Sequence, residues 1–392
     1  MTNAFRLAWR HLCFHKLRTA ILILCLTLTL ALPLCLKFLV DRFQTQLRSR
    51  AASTPLIVGA PGSQFDLAIS TLYFDAKPPP SVTMETTEYI NDSGLATAIP
   101  MHVRFRTKKF PIVGTTLEYF TFRESRIMTG TPLRRLGDCV LGATVAAELG
   151  LKPDDRLMSD PENVFDLAGS YPLNMRVVGI LAPSDTPDDQ AVFVDIGSAW
   201  IIEGIGHGHQ GLESENDDNL ILKKTEKNVT ASAAVIQYTE ITEENLSSFH
   251  FHGKPADFPV TSVIAVPPDE ASGTKLMGRF ISDDSKVRIV EPPEDVEQLL
   301  AIVFKVKKFF DAAAWLLGIV TLLFLVLVTL LTLRLRKREM QTMFKLGCSK
   351  GTIAQLQLAE IAIVLGVSLL FAVGIAALVQ QFGTEVLRRV LV

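Results

Sequence analysis

Four of the seven histidines in this sequence form two alternating pairs. His207 and His209 are separated by one glycine, and His250 and His252 are separated by one phenylalanine. Two such pairs offer four imidazole nitrogens, enough for a zinc ion if the fold brings them together, and such binding would weaken below about pH 6.5 as the imidazoles gain protons. The alternative needs no metal. Glycines around the first pair indicate a surface loop, and phenylalanines alternating with the second indicate a strand that exposes its histidines. The sequence favours this alternative, so no metal is assigned and the four histidines remain candidate ligands.

A phosphate-binding loop is missing from the sequence. The nearest segment, residues 347–352 (GCSKGT), lacks the spacing G-x-x-x-x-G-K-[ST] that cradles a nucleotide phosphate. No G-x-S-x-G nucleophile motif occurs either. We therefore predict that the chain is not an enzyme and binds no cofactor. Any ATP and magnesium would be bound by a partner subunit.

Charge and cysteine content narrow the functional class. The chain has 39 basic and 41 acidic residues, which gives no support for nucleic-acid binding. Hydrophobic residues make up 48% of the sequence, and the mean hydropathy is +0.29. Only Cys139 of the five cysteines lies in the long polar part of the chain, which excludes an internal disulfide framework there.

Three apolar runs predict three membrane-spanning helices, at residues 20–36, 312–333 and 361–379. The second run contains no charge and, at helical rise, covers roughly 33 Å, enough for a bilayer core. The basic residues that follow it predict that its end faces the cytoplasm: Arg334, Arg336, Lys337 and Arg338. Apart from Lys37 near one end, the runs hold no charge, which argues against ordinary permeation through the helices.

The N-terminal 19 residues are basic and amphipathic, which is typical of a helix on a membrane surface. A cleaved signal peptide is the alternative for this end. The apolar run is long for one, however, and no small-x-small cleavage site follows it. With the basic cluster after the second run inside, the N-terminus is also inside and the long polar part is outside.

The external part has the pattern of a mixed α/β domain. Helical patterns cover residues 85–91, 143–149 and 295–311, and the acidic segment 213–218 indicates an exposed loop. Strand-like runs occupy residues 55–58, 110–113, 139–141, 175–181 and 190–194.

Several motifs resemble one family of transporters, the MacB/FtsX/LolC class of ABC-transporter permeases. The N-terminal LAWR and KLRT segments are similar to its amphipathic helix, and VLGA at 140–143 is similar to its periplasmic strand-helix-strand unit. Segments 112–116, 176–180 and 188–195 resemble further periplasmic strands. The residues that resemble the family's ATPase-coupling segment are Arg338, Glu339, Lys345, Leu346, Gly347, Ser349, Ile353 and Glu360.

The resemblance implies a permease subunit of the bacterial inner membrane that passes ATP-driven motion to a periplasmic domain. Its partners would be an ABC ATP-binding subunit, a second permease copy, membrane lipid and a periplasmic protein. The family has a fourth span, whereas this sequence shows three. Two other interpretations remain: a membrane-anchored signalling protein that moves nothing, and a zinc-linked transporter.

The predicted organisation has five parts. They are an amphipathic helix and first span at 1–40, a periplasmic MacB-like core domain at 41–309, a second span at 310–335, a cytoplasmic coupling segment at 336–360, and a third span with a tail at 361–392.

Overall fold

The computed structural model describes most of the chain as two compact units. It covers residues 2–74, 79–161, 172–209, 221–225, 228–231, 238–280, 287–294 and 312–391, apart from residues 325, 328–329, 332–333, 335–336, 346 and 348. One unit comprises residues 1–46 with 300–392, and the other comprises residues 47–299. The predicted helix at 295–311 and the acidic segment 213–218 lie outside the described residues.

Eleven helices are found in the described residues. They are α1 (Thr2–Phe14), α2 (Lys16–Ala52), α3 (Gln64–Tyr73), α4 (Met84–Asp92), α5 (Leu117–Phe122), α6 (Ala143–Leu149), α7 (Ile196–Ile202), α8 (Glu270–Arg279), α9 (Ala312–Phe324), α10 (Lys337–Lys345) and α11 (Lys350–Leu391).

The strands all belong to the unit of residues 47–299. They are β1 (Leu56–Gly59), β2 (Val82–Thr83), β3 (Thr97–Thr107), β4 (Phe110–Thr115), β5 (Ile127–Gly130), β6 (Asp138–Leu141), β7 (Arg156–Met158), β8 (Asn174–Leu181), β9 (Val192–Asp195), β10 (Gly206–Gly208), β11 (Ile221–Thr225), β12 (Asn228–Ala231), β13 (Phe249–Phe251), β14 (Pro259–Val260), β15 (Ser262–Val266) and β16 (Arg288–Val290).

The strand-rich unit is a mixed α/β domain built on one large sheet. Among the described strands the order is β16-β1-β15-β3-β4-β9-β6-β8-β5, with β7 paired to β8. The β4–β9 and β6–β8 pairs are parallel, and the other pairs of this sheet are antiparallel. Each strand run predicted from the sequence overlaps a strand here, and the helices predicted at 85–91 and 143–149 correspond to α4 and α6.

Alternation along β9 shows how the sheet separates two cores. Val192 and Val194 point into one apolar cluster with Ile112 and Leu141, whereas Phe193 points into the cluster on the opposite face. Val192, Phe193 and Val194 are all fully buried, so this part of β9 is covered on both faces. Because both faces are covered, its sequence is a continuous apolar run.

The other unit contains long apolar helices. Two of its described helices are long and apolar enough to cross a membrane, over Thr19–Leu39 of α2 and Lys350–Val379 of α11. Large apolar side chains on both remain exposed, Leu28 and Leu370 among them, which suits a lipid environment better than water. The described apolar helix of the predicted second span is the shorter α9, so that span stays a prediction.

Small and hydroxyl side chains line the contact between α2 and α11. Thr27 Oγ1 lies 3.4 Å from the Ser368 carbonyl oxygen, and Ser368 Oγ lies 3.4 Å from the Ile23 carbonyl oxygen. Ala31 and Ala372 are also buried. Small residues allow helix backbones to approach closely, the usual way in which membrane helices pack.

Candidate functional site

The turn between α10 and α11 contains the predicted ATPase-coupling residues. Gly347 follows α10 with a φ of +95°, and its N–H donates to the Phe344 carbonyl oxygen. This conformation favours glycine and ends the helix. Ser349 then starts α11, since its Oγ accepts from the Thr352 N–H at 3.1 Å. Helix α10, this turn and the start of α11 therefore form a helix-turn-helix.

Three of the predicted coupling residues are exposed at this turn. Lys345, Gly347 and Ser349 are accessible, and Phe344 beside them is 54% exposed although it is aromatic. Among the described residues no atom lies within 4 Å of a Cβ placed on Gly347, so the positive φ is what favours glycine there. Phe344 is a candidate contact that the sequence analysis missed, because an aromatic residue beside a membrane helix indicates a lipid anchor equally well.

The remaining coupling residues are placed differently. Arg338 and Glu339 lie in α10, Ile353 is half-buried in α11, and Leu346 lies outside the described residues. Glu360 is buried, and its Oε1 lies 3.1 Å from His11 Nδ1 of α1. Its partner is therefore the N-terminal helix of the same chain.

A buried ionic cluster holds the last turn of α2 in the strand-rich unit. Arg50 is 7% exposed, and its Nη2 and Nη1 donate to the two oxygens of Asp188 at 2.6 and 3.2 Å. Nη2 also donates to the Tyr119 hydroxyl at 2.7 Å, and that hydroxyl donates to Asp188 Oδ1 at 2.7 Å. The third guanidinium nitrogen, Nε, donates to the Leu72 carbonyl oxygen.

Electrostatics keep Arg50 charged and Tyr119 protonated. Burial lowers the pKa of Arg50, but Tyr119 and Asp188 outweigh that effect and hold it above its ordinary value. Burial raises the pKa of Tyr119, because it disfavours the charged phenolate. The hydroxyl therefore remains protonated and donates. A charged, bidentate and fully hydrogen-bonded pair is the arrangement in which a buried ion pair is tolerated. We refer to Arg50, Tyr119 and Asp188 as the α2 anchor.

The segment that carries Asp188 is itself rigidly built. The next carboxylate, Asp189, accepts from the backbone N–H groups of Ser184 and Asp185. Gly142, at the start of α6, lies so close to residues 188 and 189 that a Cβ there would clash with their carbonyl oxygens. The VLGA segment at 140–143 and the start of segment 188–195 therefore meet, and together they support the α2 anchor.

The two histidine pairs face each other on a two-stranded antiparallel ribbon, β10 with β13. His207 is directly opposite His250, so the next residues on the same face, His209 and His252, flank that pair. Ring centroids are 4.8 Å apart for His207–His250, His207–His252 and His250–His252, and 5.1 Å apart for His209–His250. The fold thus brings together all four candidate ligands, which the sequence placed on surface segments without a link.

Packing on the opposite face of the ribbon explains why positions 206 and 208 are glycines. Gly206 is opposite Phe251 and Gly208 is opposite Phe249, and a Cβ on either glycine would lie 2.6 Å from the facing ring. Phe251 continues into the core, where it packs against Trp200. The glycines make room for aromatic rings, a known form of cross-strand packing, and do not form a mobile loop.

Comparison with known proteins gives limited matches. Neither a protein-family model nor a curated protein sequence matches this chain. Among solved structures, the chain is similar to the periplasmic region of MacB from Actinobacillus actinomycetemcomitans, at 7% identity and a TM-score of 0.35, with 63% of this chain and 92% of that chain covered. It is also similar to the extracellular domain of the ABC-type transporter YknZ from Gram-positive bacteria, at 8% identity and a TM-score of 0.31, with 60% and 98% covered. TM-scores below 0.5 do not establish a common fold.

Proposed function

We propose that this chain is the membrane subunit of an ABC-type transporter of the bacterial inner membrane. A separate ATP-binding subunit hydrolyses ATP, and this chain passes the resulting movement to its external α/β domain. The observation that carries the proposal is the turn between α10 and α11, which presents Phe344, Lys345 and Gly347 next to an apolar helix. An exposed aromatic residue beside exposed cationic and small residues suits a docking surface for a partner protein.

The α2 anchor supplies the second half of the proposal. Helix α2 contains an apolar segment at Thr19–Leu39 and ends in a turn whose Arg50 is fixed to Asp188. A helix end held by a bidentate ion pair transmits displacement, whereas a flexible linker absorbs it. The helix predicted at 295–311, next to the predicted second span, is a second candidate for this transmission and lies outside the described residues. We assign the transmission to α2 as well.

Two copies of the chain are expected to act together, since closed two-fold assemblies are the commonest form of oligomer and an ATPase pair needs two docking turns. The same proposal places the external domain in the periplasm, where it acts with a further partner protein. The movement it drives would be export or extraction of a substrate. A signalling protein without transport is the alternative, and loss of export or extraction in a deletion strain separates the two.

Docking is tested by co-purification of the full chain from its own host, followed by an ATPase assay. Phe344→Ala should reduce the amount of ATPase recovered and its activity, because it removes an exposed side chain without changing the backbone. Gln341→Ala is the matched control, since Gln341 is exposed one turn earlier on α10. The purified chain alone should hydrolyse no ATP.

Two substitutions at Gly347 provide a second test of docking. Gly347→Ala introduces strain at a φ of +95°, and Gly347→Trp adds bulk to the same strain. If a partner approaches this turn, the tryptophan variant should lose more ATPase than the alanine variant. Undiminished recovery and activity with both Phe344→Ala and Gly347→Trp would overturn the proposal.

A further inference from the structure

We propose that the β10–β13 ribbon binds a divalent transition-metal ion, with zinc as the expected ion, through His207, His209, His250 and His252. The site is independent of the proposed transport function. Its basis is the juxtaposition of four imidazoles from two strands on one ribbon face. Imidazole nitrogen is a preferred ligand of zinc, copper(II) and nickel(II), and a poor one for magnesium and calcium.

The spacing of the ligand atoms fits this chemistry. One ligand nitrogen from each of His207, His209 and His250 lies within 4.8 Å of the others. Nitrogens bound tetrahedrally at about 2.0–2.1 Å from zinc are roughly 3.4 Å apart, so small side-chain rotations bring the three into position. His252 is not part of this group of three, but its ring lies 4.8 Å from those of His207 and His250, so we assign it the fourth position as part of the proposal.

A hydrogen bond to a residue that is not a proposed ligand orients the ring of His250. His250 Nδ1 lies 3.1 Å from the Ser248 carbonyl oxygen. A carbonyl oxygen only accepts, so Nδ1 carries the proton and Nε2 presents its lone pair. Metal-ligating histidines are commonly oriented by such a bond from the second ring nitrogen.

The packing of the ribbon keeps the four rings on one side. Phe249 and Phe251 occupy the other face, above Gly208 and Gly206, and Phe251 is held in the core. Because alternate residues of a strand face opposite sides, the packing of the partly buried Phe249 and Phe251 fixes the histidine face. His207, His209 and His250 are half-buried and His252 is exposed, so an ion has access from solvent.

The test measures metal binding by the full chain in detergent, carrying an affinity tag without histidine and stripped with a chelator. Equilibrium dialysis against zinc, copper or nickel, with metal analysis of the protein, should give about one ion per chain, since four imidazoles complete one tetrahedral shell. Cobalt(II) gives a separate readout, because tetrahedral nitrogen ligation produces intense visible absorption and the hydrated ion does not.

The decisive variant is His250→Ala/His252→Ala. Changes outside the ligand set cost about 10–100-fold in metal affinity, so removal of two ligands should weaken binding by more than about 100-fold. His11→Ala/His15→Ala is the matched control, because these histidines lie in and directly after α1, outside the ribbon, and it should bind like the unchanged chain. His250→Asn/His252→Asn keeps polar side chains of similar size and provides the test if the alanine variant does not fold.

Three outcomes overturn the proposal. They are no binding by the unchanged chain, equal binding by the ribbon and control variants, and cobalt spectra of the hydrated ion only. Binding of copper or nickel in preference to zinc, with the same loss in the ribbon variant, retains the site and changes the ion.

Discussion

Arg50 differs from its basic neighbours in burial alone. Lys37, Arg42, Arg48 and Arg50 all follow the first apolar run, and in sequence they form an ordinary basic flank of a membrane helix. The structure exposes Arg42 and Arg48 and buries Arg50 against Asp188, a residue far along the chain. The sequence could not indicate this pair, because all four residues carry the same charge and nothing in the local sequence sets Arg50 apart from Arg42 and Arg48.

Loss of the Arg50 side-chain charge should destabilise the strand-rich unit strongly. Arg50→Met leaves Asp188 buried without its cation, and breaking a buried ion pair in this way costs about 3–5 kcal/mol. The free energy of unfolding, measured with urea on the detergent-solubilised chain, reports the loss. Arg48→Met is the control, because Arg48 is exposed and surface charges contribute about 0–1 kcal/mol.

A double variant separates the ion pair from simple misfolding. Arg50→Met/Asp188→Leu removes both charges, so it should be less destabilised than the two single changes added together. Additive losses would show that the charges do not interact, contrary to the 2.6 Å contact between them.

At the scale of elements, the β10–β13 ribbon shows where pattern analysis succeeds and fails. The alternation of phenylalanine and histidine predicts a strand around His250, and β13 is that strand. The glycines around His207 predict a loop, whereas β10 is a paired strand. Local propensity disfavours glycine in strands, but here the space above Gly206 and Gly208 is filled by rings from the facing strand. Cross-strand packing of this kind cannot be inferred from one strand alone.

A single added methyl group should disturb the ribbon. In Gly206→Ala the new Cβ would lie 2.6 Å from Phe251 Cδ1 and 3.2 Å from Ile201 Cγ1. Overpacking of this kind costs about 1–3 kcal/mol, so we expect a clear loss in unfolding free energy.

Gly278→Ala provides the comparison for the ribbon variant. Gly278 lies in α8, where no atom of the described residues is within 4 Å of the position of the new Cβ. Alanine in a helix is favoured over glycine by about 1 kcal/mol, so this variant should be as stable as the unchanged chain or more so. Equal stability of the two alanine variants would contradict the packing described for β10.

For the whole molecule, the sequence indicated a membrane protein with a large mixed α/β part, and the structure has two long apolar helices and a large mixed sheet. Apolar runs and strand patterns are properties of short segments, so the sequence predicts them. Strand order is set by contacts between distant segments. Neither the pairing of β4 with β9 nor that of β6 with β8 follows from any local pattern.

The orientation of the chain in the membrane can be measured with a thiol reagent that does not cross the membrane. Ala271→Cys places a thiol at an exposed position in α8, and we expect it to react in intact spheroplasts. Cys13, exposed in α1, should react only after the membrane is opened.

The native thiol of the strand-rich unit should not interfere with this measurement. Cys139 is fully buried, and burial, with Asp138 nearby, raises the pKa of its thiol, so the reactive thiolate is scarce. Reaction of Cys13 but not of Ala271→Cys from outside would invert the proposed orientation, and with it the side on which the α10–α11 turn meets a partner.

Helix α2 continues from its apolar segment into the α2 anchor without an intervening linker. The direction in which Arg50 points therefore depends on the number of residues between it and the apolar segment, as does its distance from that segment. One alanine inserted after Thr45 turns Arg50 by about 100° relative to the apolar segment, away from Asp188, whereas seven inserted residues restore the angle to within about 20° while adding about 10 Å. Under the proposed transport function, export should therefore be lost when one residue is added and partly recovered when seven are added. Equal tolerance of both insertions would show that neither the angle nor the length of α2 matters, and a greater loss with seven residues than with one would show that length alone matters.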